Sequence, residues 1–296
     1  MIAVRLNVAR MRSYSRACAC LLVLLMSTVS ASATERWRTL PPTPALPAGT
    51  VGRYATIHGV KLWYAQWGEL TQAVPVLLLH GGALNSNYFG ELVPKLVTHG
   101  YCVIAMDSRG QGRSERGNRP MSYHLMASDV LGLMDQLHVR QVSLVGWSDG
   151  GIIGLDIAIR HPQRLARLFA FGANSDLSGL IPNAEQTPNV AAFLARSRDE
   201  YQELSPTRGD WASFDAAMNS MWHTQPDFSP DQLQSIHVPT TIADGEYDEI
   251  VKAEHTRYLA ATIPNARLVI LPGLSHFALL QDPDAFGGAV LSFLRN

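Results

Sequence analysis

Cysteine is almost missing from this chain. Of 296 residues three are cysteines, and Cys18 and Cys20 fall in an N-terminal segment that does not read as folded protein, which leaves Cys102 alone. One thiol excludes an internal disulfide framework, so a buried apolar core must hold the fold. The sequence also lacks H-E-x-x-H and any Cys/His cluster with zinc spacing, so no metal is expected. It has no G-x-x-x-x-G-K-[ST], and no apolar strand run leads into G-x-G-x-x-G, so no nucleotide cofactor is expected. An excess of one charge is absent as well, with 24 basic against 25 acidic residues.

What stands at the N-terminus is a patterned leader. Arg5, Arg10, Arg12 and Arg16 precede an apolar run from Ala17 to Met26, and Ala31-Ser32-Ala33 supplies a small-x-small cleavage pattern. The run is about half the length of a membrane-spanning helix. Residues 1–33 therefore predict a cleaved secretory signal and a secreted or periplasmic protein without stable membrane insertion. Cleavage would remove four arginines and no acids, leaving 20 basic against 25 acidic residues, a net charge of about −5. A mildly acidic surface argues against nucleic acid as a partner. The roughly 260 remaining residues suffice for one large α/β domain with an insertion.

Residues 34–50 carry Pro41, Pro42, Pro44 and Pro47 and read as an extended lead-in without a packing pattern. "GRYATIHGVKLWYAQWG" then alternates polar and apolar residues around His58-Gly59, as a hairpin at a sheet edge does. Six apolar runs follow: "VPVLLLHG", "YCVIAMDSRG", "QVSLVGWS", "LARLFAFGAN", "PTTIADGEYD" and "ARLVILPG". Near-continuous runs of this length predict strands buried on both faces of a mostly parallel sheet. Between them, Leu125, Val130, Leu133, Met134 and Leu137 make one apolar helix face over 122–137. "GIIGLDIAIR" is apolar nearly all round, and "DAFGGAVLSFLRN" predicts a terminal helix. The rhythm breaks over 175–238, where five prolines punctuate the apolar series Trp211, Phe214, Met218 and Trp222. So long an insertion predicts a small helical cap between two core segments, 51–174 and 239–296. The aromatic series is expected to pack the cap's underside and, with Trp147, to line a substrate pocket.

The chemistry centres on Ser148. It follows "QVSLVG" and precedes a helix inside Gly146-Trp147-Ser148-Asp149-Gly150, the strand-turn-helix setting of an activated serine. The helix behind it turns its positive end toward developing negative charge. A serine hydroxyl needs a base, and His276, in "LPGLSHFALLQDP" after the last strand, is the best-placed histidine. His80, His161, His237 and His255 read as structural. The imidazole needs a carboxylate partner. Asp248, just beyond the end of a strand, fits, with Asp244 as runner-up. Oxyanion donors are expected from the backbone N–H of Asp149 and of Gly82, with Ala83 as an alternative.

"LLLHGG", "DSRGQGRS", "GWSDGG", "GEYD" and "GLSHF", in this order and spacing, resemble the α/β-hydrolase superfamily over about residues 50–296. The resemblance implies an α/β-hydrolase fold with a helical cap, a Ser148–His276–Asp248 triad, and oxyanion donors at Gly82 and Asp149. It also implies structural roles for Asp107, Arg109 and Gly110. "GWSDGG" with a later "GAN" is similar to the biphenyl-hydrolase-like (valacyclovirase) group, in which the position of Asp149 binds a substrate amino group. The cap shows no such likeness. An aspartate beside the nucleophile is otherwise explained by its place in a helix's first turn, where a carboxylate complements the dipole.

The expected activity is cofactor-independent hydrolysis of a small-molecule carboxylic ester. Lactonase, carbon–carbon bond hydrolase, and perhydrolase or haloperoxidase activities share the motifs, and a non-catalytic binding protein on the same scaffold is the reading from another class. A chain cleaved at the predicted site begins at Thr34. N-terminal sequencing of exported protein should find that residue first, and a mature start at Met1 would overturn the leader.

Overall fold

The computed structural model describes residues 35–70 and 74–295, so the expected signal peptide lies outside the described residues. Eight strands form one sheet in the order β1-β2-β4-β3-β5-β6-β7-β8. They are β1 Gly52–Ile57, β2 Val60–Trp67, β3 Val76–Leu79, β4 Val103–Met106, β5 Val142–Trp147, β6 Leu165–Phe171, β7 Thr240–Gly245 and β8 Arg267–Leu271. β1 and β2 pair antiparallel across a turn in which His58 and Gly59 both adopt positive φ. β2 also meets β4 antiparallel, while every pairing from β4 to β8 is parallel.

The apolar runs are explained by layers on both faces. Leu77 and Leu79 of β3 belong to one core cluster, Val76 and Leu78 to the other. Helices α2 (Tyr123–Gln136) and α3 (Asp149–Arg160) cover the first face. Helices α1 (Leu92–Thr98) and α9 (Pro283–Arg295) cover the second. Ser122 caps α2 by accepting a hydrogen bond from the Leu125 N–H. The β8 run departs from expectation: as an edge strand it exposes Arg267 and Leu268, so "ARLVILPG" is not buried on both faces.

Strand order reverses around β3. The chain passes from β3 to β4 on one side and then to β5 on the other. Loops leaving β3 and β5 diverge there, and the crevice lies at the strands' carboxyl ends. Between β6 and β7 the chain forms α4 (Pro188–Leu204), α5 (Trp211–Trp222) and α6 (Pro230–Gln234). The lead-in, for which the sequence carries no packing signal, is strapped down through its backbone carbonyls. Arg196 donates to Pro41 and Leu40 oxygens at 2.6 and 3.0 Å, and Gln281 donates to the Thr39 oxygen at 2.8 Å. Among the described residues, no helix is long and apolar enough to cross a membrane.

Asp107 and Arg109, after β4, do structural work. Asp107 accepts hydrogen bonds from the N–H and hydroxyl of Ser86 and from Arg113. Arg109 makes a two-pronged pair with Asp129 of α2, both side chains at most 1% exposed. Removing one partner of such a pair strands a buried charge, at a cost of about 3–5 kcal/mol. Asp129→Ala should therefore lose about that much stability in urea unfolding, and an unchanged midpoint would contradict the structural role.

Candidate active site

Ser148 stands at the junction of β5 and α3 with φ 54° and ψ −120°, a conformation that a side-chain-bearing residue rarely adopts. The flanking glycines explain how the turn closes. A Cβ on Gly146 would lie 2.2 Å from the Gly150 oxygen, and one on Gly150 would lie 2.1 Å from the Leu79 oxygen. The G-x-S-x-G spacing is thus dictated by backbone packed against backbone. The Ser148 N–H donates to the Phe171 oxygen at 2.7 Å, which ties the turn to the end of β6.

His276 arrives on the loop between β8 and α8 (Ala278–Gln281) and is 2% exposed. Its backbone is gripped from two sides. The Trp147 indole N–H donates to the His276 oxygen at 2.9 Å, and the His276 N–H donates to Glu249 Oε2 at 3.2 Å. Its ring Nδ1 lies 2.6 Å from Asp248 Oδ2. Asp248 Oδ1 accepts the Ile250 and Val251 N–H groups, each at 2.7 Å, so the carboxylate is fixed before it meets the imidazole. Burial disfavours a charged His276, but the charge and hydrogen bond of Asp248 outweigh it, helped by Glu249 and Asp149, and its pKa rises above the ordinary value. With Nδ1 committed to Asp248, Nε2 is the other ring nitrogen, and Ser148 and His276 line one cavity.

The alternatives that the sequence left open separate clearly. Asp244 accepts from the Gly245 N–H at 2.9 Å and the Thr256 hydroxyl at 2.5 Å, while it is Asp248 that contacts the histidine ring. Asp244, Asp248 and His276 form the one group of metal-ligand spacing among the described residues. The hydrogen-bond contact between His276 and Asp248 leaves no gap for a cation between those two atoms. Gly82 lines the cavity, whereas Ala83 does not and is buried. His80 accepts the Ser108 N–H and spans the ends of β3 and β4; His161 ends α3; buried His255 accepts the Ser175 N–H.

Asp149 is buried beside Ser148, and its side chain is spoken for. The Tyr123 hydroxyl donates to Oδ1 at 2.8 Å, and the Trp222 indole N–H donates to Oδ2 at 3.0 Å. Burial raises its pKa, against the two hydrogen bonds that favour its charge. The same burial, followed by the charge of Asp149, pushes the Tyr123 hydroxyl well above its usual range. Asp149 and Trp222 also crowd Gly82: a Cβ there would lie 2.4 Å from Asp149 Oδ2 and 2.5 Å from the Trp222 ring. The carboxylate thus pins α5 to α2, α3 and the loop after β3. It retains an edge on the cavity.

The cavity has a volume of about 710 Å³. Trp147, Asp149 and Trp222 line it, as the sequence led us to expect, but Trp211, Phe214 and Met218 do not. Phe214 and Met218 are fully buried, and Trp211 and Phe214 pack on Tyr201 of α4. A helix shows only part of its apolar face to any one surface, and here the indole at its C-terminal end reaches the site. Further apolar wall comes from Leu84, Leu177, Leu180, Ala184, Val190, Phe193, Leu194, Ile250 and Val251. Sequence reasoning missed the α4 contributors because their spacing is that of any amphipathic helix. No lysine or arginine lies among the described lining residues, whereas Asp149 and Glu185 add carboxylates.

A family model for the alpha/beta hydrolase fold matches residues 74–208. The mouse protein Serine hydrolase BPHL (Mus musculus) is 28% identical over 268 residues, covering 85% of this chain and 90% of its own. A 2-hydroxy-6-oxononadienedioate/2-hydroxy-6-oxononatrienedioate hydrolase of Comamonas testosteroni is 26% identical, covering 85% and 99%. Among solved structures, Est816, described as an N-acyl homoserine lactone degrading enzyme, superposes with TM-score 0.67 at 27% identity. It covers 81% of this chain and all of its own. The sheet order, the strained serine turn and these likenesses agree: the chain has the α/β-hydrolase fold and is similar over most of its length to enzymes of that superfamily.

Proposed function

We propose that the chain is a serine esterase acting on a carboxylic ester that bears no carboxylate of its own, exported after removal of its leader. The observation that carries the substrate reading is the charge of the cavity, which offers carboxylates and no lysine or arginine among the described lining residues. A substrate carboxylate would have to shed water there without a lysine or arginine to meet it, which is costly. The Comamonas relative, by its name, acts on a substrate with two carboxylates. That charge pattern suits this cavity poorly.

The steps follow from the geometry. Ser148 Oγ attacks the ester carbonyl while His276 Nε2 takes its proton, and Asp248 holds the tautomer and stabilises the imidazolium. The N–H groups of Gly82 and Asp149 receive the oxyanion, a contribution of about 10²–10³ in rate per donor. His276 passes the proton to the leaving alcohol, and water repeats the cycle on the acyl-enzyme. The apolar wall takes the larger hydrocarbon part of the ester.

Ser148→Ala should abolish both p-nitrophenyl ester turnover and covalent labelling by a fluorophosphonate; full turnover in that variant would refute the assignment. In a matched pair, a neutral alkanoate ester should be cleaved at least tenfold faster, by kcat/KM, than the hemiester of a dicarboxylic acid. Equal rates would remove the charge argument. Because His276 works as a base only when neutral, activity should fall as pH drops through its raised pKa, so the midpoint should lie above 6.5. Asp248→Asn should move that midpoint to lower pH as well as slow the reaction, and an unmoved limb would show that another group governs it.

A further inference from the structure

One buried acid has no task in these steps. Asp244 lies near the end of β7, is 1% exposed, and offers a carboxylate oxygen within 4.8 Å of one from Asp248 and of a ring nitrogen of His276. Two carboxylates so close and so deeply buried cannot both stay ionised beside one imidazole. The donors decide which of them carries the charge. Asp248 receives two backbone N–H groups on one oxygen and the His276 ring on the other. Asp244 receives one backbone N–H and one hydroxyl, that of Thr256 from α7 (Ala253–Thr262). No lysine or arginine is among the main groups acting on it.

We propose that Asp244 is a positioning residue that keeps its proton in the working enzyme and donates it to Asp248. The pair then carries one negative charge, and that charge sits on the carboxylate aimed at His276. Burial, then the charge of Asp248 and the hydrogen bond to it, push the Asp244 carboxyl well above the usual range. Burial acts in the same sense on Asp248, but His276 and Asp244 together hold that carboxyl below the usual range. The arrangement resembles a capped anion: the spare lone pair of Asp248 is filled by a neutral donor, so the carboxylate cannot swing from the imidazole without losing a bond. A second ionised carboxylate there would over-stabilise the imidazolium and slow its return of the proton to the leaving group.

This proposal rests on the Ser148–His276–Asp248 reading and is tested so that the two fail separately. The readout is the second-order rate of fluorophosphonate labelling at Ser148, followed by mass spectrometry against pH, with kcat and KM for a p-nitrophenyl ester measured in parallel. The groups that face His276 in this titration are Asp248, Glu249 and Asp149, and Asp244 is faced by Asp248. Asp244→Ala should lower kcat and the labelling rate tenfold or more with KM little changed. Asp244→Asn, which keeps a neutral donor, should recover most of that loss and leave the acid limb where it is in the parent.

An acid limb that moves down by about one pH unit in Asp244→Asn would mean the parent Asp244 is ionised, and would overturn the proposal. So would Asp244→Ala retaining the parent rate, or Asp244→Asn being as slow as Asp244→Ala. If Asp244→Ala fails to fold, the pH limb of Asp244→Asn decides alone. No labelling of Ser148 in the parent overturns the triad reading itself, whatever the Asp244 variants do.

Discussion

The site depends on how closely three pieces of backbone approach one another where β5 becomes α3. Gly150 lies against the Leu79 oxygen at the end of β3, and Gly146 lies against Gly150. Neither position has room for a methyl group, so the turn exists only with glycine at both. That closure goes with the positive φ of Ser148, which stands where β5 ends and α3 begins. The strain is held by neighbours on both sides, with β6 bonded to the Ser148 N–H and the β3 end packed under the helix. Asp248 and His276 stand on loops that leave the same sheet edge after β7 and β8.

Four carboxyl groups are held by hydrogen bonds around Ser148 and His276, and their donors separate their roles. Asp248, with backbone N–H groups and an imidazole, is built to stay charged. Asp149, with a phenol and an indole, joins the cap to the elbow helix. Glu249 holds the His276 backbone and, through Asn189, the first turn of α4. Asp244, with one backbone N–H and one hydroxyl, has fewer donors than Asp248 and lies within 4.8 Å of it. In so buried a place, the count and kind of hydrogen-bond donors decide where protons reside more than the nominal acidity of the side chain does.

The segment between β6 and β7 is attached to the core through polar contacts as well as packing. Trp222 reaches Asp149, Arg116 reaches Asp210 and Ser213, and Glu200 accepts from Asn85, Tyr88 and Thr43. Glu200 thereby joins α4 to the loop after β3 and to the lead-in. The cavity volume and its apolar wall are consequences of this attachment, because the α4 residues that face the nucleophile do so only while the helix stays docked.

Local chemistry made much of this protein legible from its sequence. Apolar runs of strand length, a hairpin turn at His58-Gly59, and glycines two residues either side of Ser148 are signals carried within a few residues. The physics behind them, two-faced burial and close backbone approach, acts at that same range. The order Ser148, Asp248, His276 was readable for the same reason, since each residue follows a recognisable strand. What could not be read depends on partners far apart in the chain. Which way Asp149 turns is decided by Tyr123 and Trp222, the latter 73 positions away. Trp222 lines the cavity while Trp211, Phe214 and Met218 pack inward, because the docking of α5, not its periodicity, selects the face that meets the site. Sequence alone determined the fold class and the strand-turn-helix that carries Ser148, whose requirements are local; tertiary structure decided the charge and shape of the cavity, because burial and hydrogen-bond partners come from elements that meet only when the chain is folded.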